Sequence, residues 1–303
     1  MFHHFHDDFH KKSQGSIDEK SFNMIIDYLE SKYDILPPDL YIQRFESKAL
    51  TCRDICITFD DSLRCQYDIA FPILKKRNIK AFFFIYSSTL TDNPDKLELY
   101  RLFRNEKFKN IDHFYSNFFK LASLKYEKDF RKGEENFQKS NYLQDYKFYS
   151  YSDKFFRFLR DIVFNDSIYE ELMNELFKNF KFDIKSASER LWMSPNQIKD
   201  LYQQGHEIGL HSHSHPFNMD NLNYDKQEKE YSTNLYFLEN IIGKNKVRSM
   251  SHPCGRYNSD TLKILNNLNV IIGFGSNLKT KNTNNNLEIP REDHINILNS
   301  LKS

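Results

Sequence analysis

Residues 55–86 read ICITFDDSLRCQYDIAFPILKKRNIKAFFFIY, and this stretch decides the expected fold. It opens on the apolar run 55–59, whose β-branched and aromatic residues favour a buried strand. A helical pattern over residues 63–77 and a second apolar run over residues 81–86 follow. Strand, helix and strand within about thirty residues predict a βαβ unit with parallel strands.

Two carboxylates, Asp60 and Asp61, come directly after the first predicted strand. In folds built from βα units the active site lies at the carboxyl ends of the strands, which makes both residues candidates for chemistry. The simpler interpretation is structural, because Asp is a good helix N-cap and Ser62 is able to share that role.

A second stretch, residues 205–216, carries three histidines at alternate positions and reads GHEIGLHSHSHP. Residues 206–210 are expected to form a strand, so His211 lies just past a strand end, as Asp61 does. Imidazole nitrogens combined with a carboxylate oxygen suit zinc or a similar ion.

Together these two stretches resemble the polysaccharide deacetylase family, also called the NodB-homology or carbohydrate esterase 4 group. Residues 58–61 read TFDD, which is one motif of that family, and residues 211–216 are similar to its H-[ST]-x-x-H motif. The resemblance is specific over residues 48–87, 194–217 and 247–265. It is weak elsewhere.

The resemblance implies a distorted (β/α) barrel of the NodB-homology type and metal-dependent hydrolysis of an N-acetyl group on a sugar. It implies Asp61, His211 and His215 as ligands of a divalent ion, with Zn²⁺ expected and Co²⁺, Ni²⁺ or Fe²⁺ as alternatives. Asp60 is then the general base that takes a proton from water.

The spacing of the histidines separates two of them from the third. In a helical turn His211 and His215 share a face and His213 points away, whereas in a straight strand all three share one face. Pro216 and the residues after it favour a turn. We therefore expect His213 to be exposed or to support the ligands without binding the ion.

Residues 251–258, SHPCGRYN, resemble a third family motif that often reads R-P-P-Y-G-x-x-N. Ser251 stands at the position of the family's arginine and Cys254 at that of its tyrosine, while Pro253 matches. The resemblance implies that the Cys254 backbone N–H contributes to an oxyanion hole beside Pro253. A nucleophilic Cys254 is the alternative.

Residues 289–293, IPRED, resemble a segment in which some branches of the family carry a substitute for the missing arginine. The resemblance thus assigns the orientation of Asp60 to Arg291. The chain lacks the L-x-L-x-H motif that supplies the catalytic acid in other members. His294 is the candidate nearest in sequence, and His4 competes because the first and last strands of a closed barrel are neighbours.

Between residues 92 and 192 aromatic and charged residues alternate densely, and glycine and proline are nearly absent. The pattern predicts several amphipathic helices, which we interpret as an insertion into a single deacetylase domain. Most of its aromatic residues are expected to be core. Because the insertion enters above a strand end, it is placed to form a lid or a substrate wall.

The bulk composition of the 303 residues excludes some classes of protein. A net charge of +1 gives no sign of a nucleic-acid binder, and no apolar run approaches the length of a membrane span. A cytoplasmic protein is expected, acting on an N-acetylated sugar that is lipid-linked, nucleotide-linked or an oligosaccharide. The alternatives are a catalytically impaired carbohydrate-binding protein on the same fold, or another metal-dependent hydrolase.

Overall fold

The computed structural model describes residues 1–144, 149–278 and 285–302. The chain divides into two compact units. The first comprises Met1–Asp95 with the described residues of Ser188–Ser303, and the second is Lys96–Ala187. The second unit falls within the predicted insertion at residues 92–192; its status as an insertion stays a prediction.

The first unit is built on a five-stranded parallel sheet with the strand order β3-β4-β5-β6-β7. A separate parallel pair, β1 and β2, accompanies it. The strands are β1 Asp34–Ile35, β2 Asp54–Ile55, β3 Thr58–Phe59, β4 Phe82–Ile85, β5 Glu207–Leu210, β6 Ser249–Ser251 and β7 Ile272–Phe274.

Thirteen α-helices are present in the described parts of the chain, with π turns at Gln66–Ala70 and Leu159–Val163. Those of the first unit cover the sheet. In chain order the thirteen helices of both units are α1 Glu19–Lys32, α2 Pro38–Glu46, α3 Phe71–Lys76, α4 Leu97–Lys107, α5 Ile111–Lys125, α6 Glu127–Gln138, α7 Tyr151–Phe158, α8 Asp166–Asn179, α9 Ile184–Leu191, α10 Pro195–Gln203, α11 Tyr224–Ile242, α12 Ser259–Asn267 and α13 His294–Lys302.

The predicted βαβ unit is present, with two corrections. The apolar run 55–59 does not form one strand, because Ile55 pairs with Ile35 in the small sheet while Thr58 begins β3. The helical pattern after Asp61 is split into a π turn and α3, with Pro72 in the first turn of α3. Proline lacks an N–H and is tolerated there, which explains the start of a new segment.

The two edges of the sheet are extended by single bridges. Phe2 pairs in parallel with Phe59 beside β3, and Ile289 pairs in parallel with Phe274 beside β7. The two extensions meet where the His294 N–H donates to the Met1 carbonyl at 3.1 Å. A parallel sheet that curls until its extended edges meet confirms the predicted distorted (β/α) barrel.

Local sequence signals fix how the chain enters β5. Ser194 and Gln197 form a reciprocal capping box at the start of α10, with Pro195 in the first turn. Gly205 follows the helix with φ 87°, a conformation that glycine adopts without steric cost. The chain then runs directly into β5 and the histidine stretch, so these caps help to set the position of His211.

The second unit is all-helical, and its core consists largely of aromatic rings, as expected. Phe103 is fully buried and contacts several rings edge-on, including Phe177 at 4.8 Å and Phe114 at 6.4 Å between centroids. Edge-to-face contacts of this kind add to the stabilisation that burial supplies. No helix in the described residues of either unit is long and apolar enough to cross a membrane.

His206, just before β5, is a buried titratable group of the first unit and makes the fold sensitive to acid. Its Nδ1 accepts the Ala81 N–H at 3.1 Å, and Nε2 has no hydrogen-bond partner among the described residues. Its ring lies against Phe71 and Phe83. Burial lowers the pKa of His206 to about 4, so the folded protein holds the ring neutral.

We expect the free energy of unfolding to fall as the pH is lowered from 6.5 toward 4. In that window the unfolded His206 binds a proton and the folded one does not, which costs on the order of 2 kcal/mol between pH 6.5 and 5. Urea unfolding of the native protein and of His206→Asn, whose amide oxygen is able to replace Nδ1, measures this. The difference in free energy of unfolding between the native protein and His206→Asn should be smaller at pH 5 than at pH 6.5. If the free energy of unfolding falls with pH equally in both proteins, the prediction is contradicted.

Candidate metal centre

Three predicted ligands converge at the carboxyl ends of two strands. The Asp61 Oδ1 lies 3.3 Å from His211 Nε2 and 3.4 Å from His215 Nε2. One donor atom from each residue lies within 4.8 Å of the other two. A carboxylate oxygen and two imidazole nitrogens in such a cluster form a donor set that suits a divalent ion.

The backbone bends sharply at both ligand-bearing turns. Asp61 and Ser62 follow β3 with φ values of 76° and 60°, and Ser212 and His215 follow β5 with φ values of 63° and 53°. Residues with side chains seldom adopt this left-handed conformation, and such outliers cluster at functional sites. These turns allow the ligands to leave their strands and face one another.

Ser62 has a positive φ without being glycine, and its surroundings support it there. The Ser62 hydroxyl accepts the Tyr86 N–H at 3.0 Å, and its carbonyl accepts the Met193 N–H at 2.9 Å. The side chain is fully buried. These bonds help to offset the cost of a positive φ at a non-glycine residue.

The orientation of His211 is fixed from its far side. Its Nδ1 faces the Ser251 carbonyl at 2.8 Å, and its backbone N–H donates to the Asn234 Oδ1 at 2.9 Å. The Asn234 amide in turn donates to the Ile85 carbonyl at 2.9 Å. A carbonyl oxygen can only accept a hydrogen bond, so Nδ1 must carry the proton, and Nε2, which faces Asp61, is the atom able to bind an ion.

His213 is turned away from this cluster. Its Nδ1 lies 2.9 Å from the Ser87 hydroxyl, and its ring stacks on Phe237 at 5.8 Å between centroids. The structure thus brings His211 and His215 together and leaves His213 in a supporting position. This arrangement is the one expected for a turn.

The two predicted ligand types influence each other's protonation. Burial alone would raise the pKa of the Asp61 carboxyl, but its contacts with His211 and nearby imidazoles hold that pKa well below its usual range. For His211, burial lowers the pKa and the carboxylates of Asp61 and Asp60 raise it above its usual value. The cluster therefore keeps Asp61 ionised and favours a positive charge beside it.

Asp60 is held by a buried ion pair with Arg291. Arg291 Nη1 donates to Asp60 Oδ1 at 2.8 Å and Arg291 Nη2 donates to Oδ2 at 2.7 Å, which is a two-pronged arrangement. Arg291 also donates to the Thr58 hydroxyl at 3.1 Å and to the Gly275 carbonyl at 2.5 Å. All of its donor groups that point into the core are therefore used, and the carboxylate has a fixed orientation.

The ion pair controls the charge of Asp60. Burial alone would raise the pKa of the carboxyl, but the Arg291 guanidinium and then His211 outweigh that effect and hold the pKa far below its usual range. Asp60 therefore stays ionised at neutral pH and has a lone pair ready to accept a proton.

Ser251 links the ion pair to the ligand cluster, a role that the sequence did not reveal. Its hydroxyl donates to Asp60 Oδ2 at 3.1 Å and accepts from Arg291 Nη2 at 2.7 Å. Its carbonyl faces His211, as described above. A serine at the family's arginine position therefore contacts the arginine that comes from elsewhere in the chain.

The N-terminal histidine beside the carboxylates is His3. Its Nε2 lies 3.9 Å from Asp60 Oδ2, and its side chain is 27% exposed. The role expected for His4 stays a prediction. Phe2 is buried against Phe59 and its neighbour His3 faces the carboxylates, an alternation that a strand-like segment produces.

His294 lies in a different environment from the one that its expected role requires. Its Nδ1 and Nε2 face the carbonyls of Met1 and Gly15 at 3.3 and 3.0 Å, and its ring stacks on Phe2. Burial lowers its pKa, so the ring is neutral at neutral pH. A neutral imidazole has a single N–H, which only one of the two carbonyls accepts, and it lacks the second proton that a general acid would give, so this environment disfavours His294 as the proton donor.

His3, Asp293 and His294 form a second group of potential ligands in the described part of the chain. Internal bonds account for this group without an ion. The Asp293 Oδ1 accepts the Ile295 N–H at 2.9 Å at the start of α13, and the His294 nitrogens face carbonyls. The Asp61 cluster is thus the better candidate metal centre.

Pro253 and Cys254 lie after β6 in a short 3₁₀ turn. Pro253 is buried, whereas Cys254 is exposed and has a φ of 52°. Among the described residues nothing accepts a hydrogen bond from the Cys254 N–H. Partial desolvation and the Asp61 carboxylate raise the pKa of the thiol to about 11. A neutral thiol disfavours the nucleophile alternative and leaves the free N–H as the useful group.

Comparison with known proteins identifies the family. The sequence profile of the family described as polysaccharide deacetylase matches residues 47–152 and 165–272. The chain therefore belongs to the polysaccharide deacetylase family, which confirms the resemblance seen in the TFDD and histidine motifs. No curated protein matches the chain.

Solved structures show the same fold at low identity. The Streptococcus pyogenes deacetylase PplD in complex with acetate aligns over 100% of this chain and 95% of its own, with 16% identity and a TM-score of 0.56. IcaB from Ammonifex degensii aligns over 96% and 88%, with 15% identity and a TM-score of 0.55. The BpsB deacetylase domain from Bordetella bronchiseptica aligns over 96% and 92%, with 15% identity and a TM-score of 0.54.

Proposed function

We propose that this protein is a metal-dependent N-deacetylase that removes an acetyl group from a sugar of a surface-glycan or polysaccharide precursor. The observation that carries the proposal is the position of Asp60. Its carboxylate is locked by Arg291 and lies next in sequence to Asp61, which forms the cluster with His211 and His215. A divalent-ion site and an oriented base side by side are what amide hydrolysis requires.

The residues of the cluster fit a divalent ion. Asp61 is held ionised, His211 presents Nε2, and His215 presents Nε2 to the same carboxylate oxygen. When bound, the ion supplies Lewis-acid chemistry at the acetyl carbonyl and at water. Three protein ligands leave positions for substrate, as in catalytic zinc sites, and Zn²⁺ is the proposed ion.

In this proposal Asp60 takes the proton from the attacking water. The Arg291 fork fixes the plane of the carboxylate, and the Ser251 hydroxyl occupies one lone pair of Oδ2. The carboxylate is thus aimed before substrate arrives, so no reorientation is needed during the reaction. The low pKa of Asp60 keeps it in the basic form across the neutral range.

The negative charge that develops on the acetyl oxygen needs a donor. The Cys254 N–H is proposed for this role, because it has no acceptor among the described residues and its side chain is close enough to Asp61 to feel that charge. A backbone donor is independent of the side chain, so a cysteine at a position where the family has tyrosine preserves the function. Buried Pro253 holds the turn in place.

Protonation of the leaving amine is proposed to come from His3. Its Nε2 lies 3.9 Å from Asp60 Oδ2 and its side chain is partly exposed, so its ring has access to both the site and solvent. His294, the acid expected from sequence, is neutral because burial lowers its pKa, and its nitrogens face main-chain carbonyls. The role of His4 stays a weaker alternative.

The two residues that position Asp60 are expected to affect kcat to different extents. Arg291→Lys should reduce kcat at least about tenfold, because an ammonium cannot reproduce the two-pronged contact with Asp60. Ser251→Ala should cost less, about three- to tenfold, which corresponds to the loss of one or two hydrogen bonds. Steady-state acetate release measures both. Arg53→Lys, which alters an exposed pair with Asp34, serves as the matched control. Full activity in Arg291→Ala would exclude the proposed pairing.

The proposed function is tested by acetate release from N-acetylated oligosaccharides, nucleotide-linked sugars and lipid-linked sugars. Acetate release should depend on added Zn²⁺, Co²⁺, Ni²⁺ or Fe²⁺ and disappear with chelator. Sugar binding without acetate release in the presence of every ion would instead identify a binding protein on this fold.

A cytoplasmic location and a role of residues 92–192 in substrate choice are also proposed.

A further inference from the structure

The helical unit Lys96–Ala187 contains four neighbouring arginines, here called the arginine cluster, and one of them lacks a counter-ion in the part of the unit that the structure describes. Arg101, Arg157 and Arg160 each have a carboxylate partner. Arg104 has none among the described residues. The partners are Glu98 for Arg101 at 3.5 Å, Asp153 for Arg157 at 2.7 Å and Asp161 for Arg160 at 2.5 Å.

The surroundings of Arg104 are apolar and aromatic. Its Nε donates to the Tyr100 carbonyl at 3.2 Å, within the same helix. The guanidinium carbon lies 5.7 Å from the centre of the Phe114 ring. Nε is thus satisfied, while the two terminal nitrogens face no carboxylate of the described chain. The side chain is half-buried, so solvent still reaches it.

A second guanidinium lies against the same aromatic wall. The Arg160 guanidinium carbon is 5.9 Å from the centre of the Phe156 ring, and that ring is 5.3 Å from Phe114. Burial lowers the pKa of Arg104, and the like charges of Arg101 and Arg160 lower it further. The cationic groups are therefore close enough to repel one another.

The tyrosines in the surroundings of Arg104, Tyr169 and Tyr115, carry neutral hydroxyl groups. Tyr169 packs 5.4 Å from Tyr100 and 6.2 Å from Phe156, and burial raises its pKa. Its hydroxyl is thus a neutral O–H, able to donate to an oxygen ligand. Tyr115 is likewise protonated, because burial raises its pKa.

A guanidinium remains protonated in proteins, so it cannot relieve its desolvation by losing a proton. A half-buried, unpaired arginine next to two others is therefore costly unless an anion joins it. Arg104 and Arg160 lie against adjacent rings, and Arg101 lies one turn before Arg104 in α4. Such a group of guanidiniums favours a polyvalent oxyanion over a single carboxylate, because Arg forks match phosphate oxygens.

We propose that Arg104, with Arg101, Arg160 and the Tyr169 hydroxyl, forms a binding site for a phosphate or diphosphate group. The site lies wholly within the helical unit and is separate from the Asp61 cluster. This inference does not depend on the deacetylase activity, because binding is measured without turnover.

The test uses inorganic pyrophosphate as the probe and the full chain as the protein. Isothermal titration at constant ionic strength should show saturable binding to the native protein. Arg104→Gln should weaken it at least about tenfold, and Arg104→Lys should give an intermediate loss. Arg131→Gln, an exposed arginine of the same unit paired with Glu127, is the matched control and should change binding by less than about twofold.

A second measurement needs no variant. Phenylglyoxal modifies accessible guanidinium groups, and mass spectrometry of the digested protein reports each site. Pyrophosphate should slow the modification of Arg104 and leave that of Arg131 unchanged. Absence of both saturable binding and protection would overturn the proposal, as would tighter binding of glucuronate than of pyrophosphate. Equal weakening by Arg104→Gln and Arg131→Gln would show non-specific charge attraction and would overturn it as well.

Discussion

Replacing Asp60 by Asn is expected to reduce acetate release at least about a hundredfold, the scale of a lost general base. Asn retains the shape of the side chain and still accepts one bond from Arg291, but it cannot take a proton from water. Asp61, His211 and His215 are untouched. Metal content measured by mass spectrometry should therefore remain at the native value while kcat falls.

The substitution also leaves the buried Arg291 without its counter-charge, which costs about 3–5 kcal/mol of stability. Circular dichroism at the assay temperature must show that the variant is folded. Asp34→Asn, the same change at an exposed carboxylate of the same unit, is the matched control and should retain activity. The double variant Asp60→Asn/Arg291→Lys should be little worse than Asp60→Asn, since the two residues act as a unit. Native activity in Asp60→Asn would exclude Asp60 as the base.

Removal of either predicted imidazole ligand is expected to abolish tight metal binding and, with it, acetate release. His211→Ala and His215→Ala should each lower the metal content from about one ion per chain to nearly none after dialysis, because two remaining ligands do not hold a divalent ion tightly. His211 should show the larger effect, since its ring is fixed by the Ser251 carbonyl and a preorganised ligand contributes more.

The chain offers its own control for this experiment. His213 lies within the same histidine run but contacts Ser87 and Phe237, so His213→Ala should retain the ion. Metal analysis and acetate release on the three variants in parallel separate ligand loss from general disturbance of the turn. Equal metal loss in all three would contradict the assignment of ligands.

The amino-acid sequence determined the parts of this protein that depend on short-range patterns. The apolar runs around Asp60 and before His211 predicted parallel strands, and the capping box at Ser194 with Gly205 is a local signal that sets the turn into β5. The family resemblance implied Asp61, His211 and His215 as one ligand set, and the positions of Asp61 and His211 just past predicted parallel strands favoured it, because such residues gather at one edge of a sheet.

The tertiary structure decided contacts between residues that are far apart in the chain. Ser251 and Arg291 meet at Asp60 because β6 and the segment after β7 lie near β3 in the curled barrel, a closure that no local pattern encodes. The environment of His294 also depends on tertiary contacts, because burial lowers its pKa and its nitrogens face main-chain carbonyls, whereas His3 Nε2 lies 3.9 Å from Asp60 Oδ2. Likewise, the split of residues 55–59 into two sheets arose because Ile35 competes for Ile55 as a pairing partner, and such pairing is set by the folded neighbourhood.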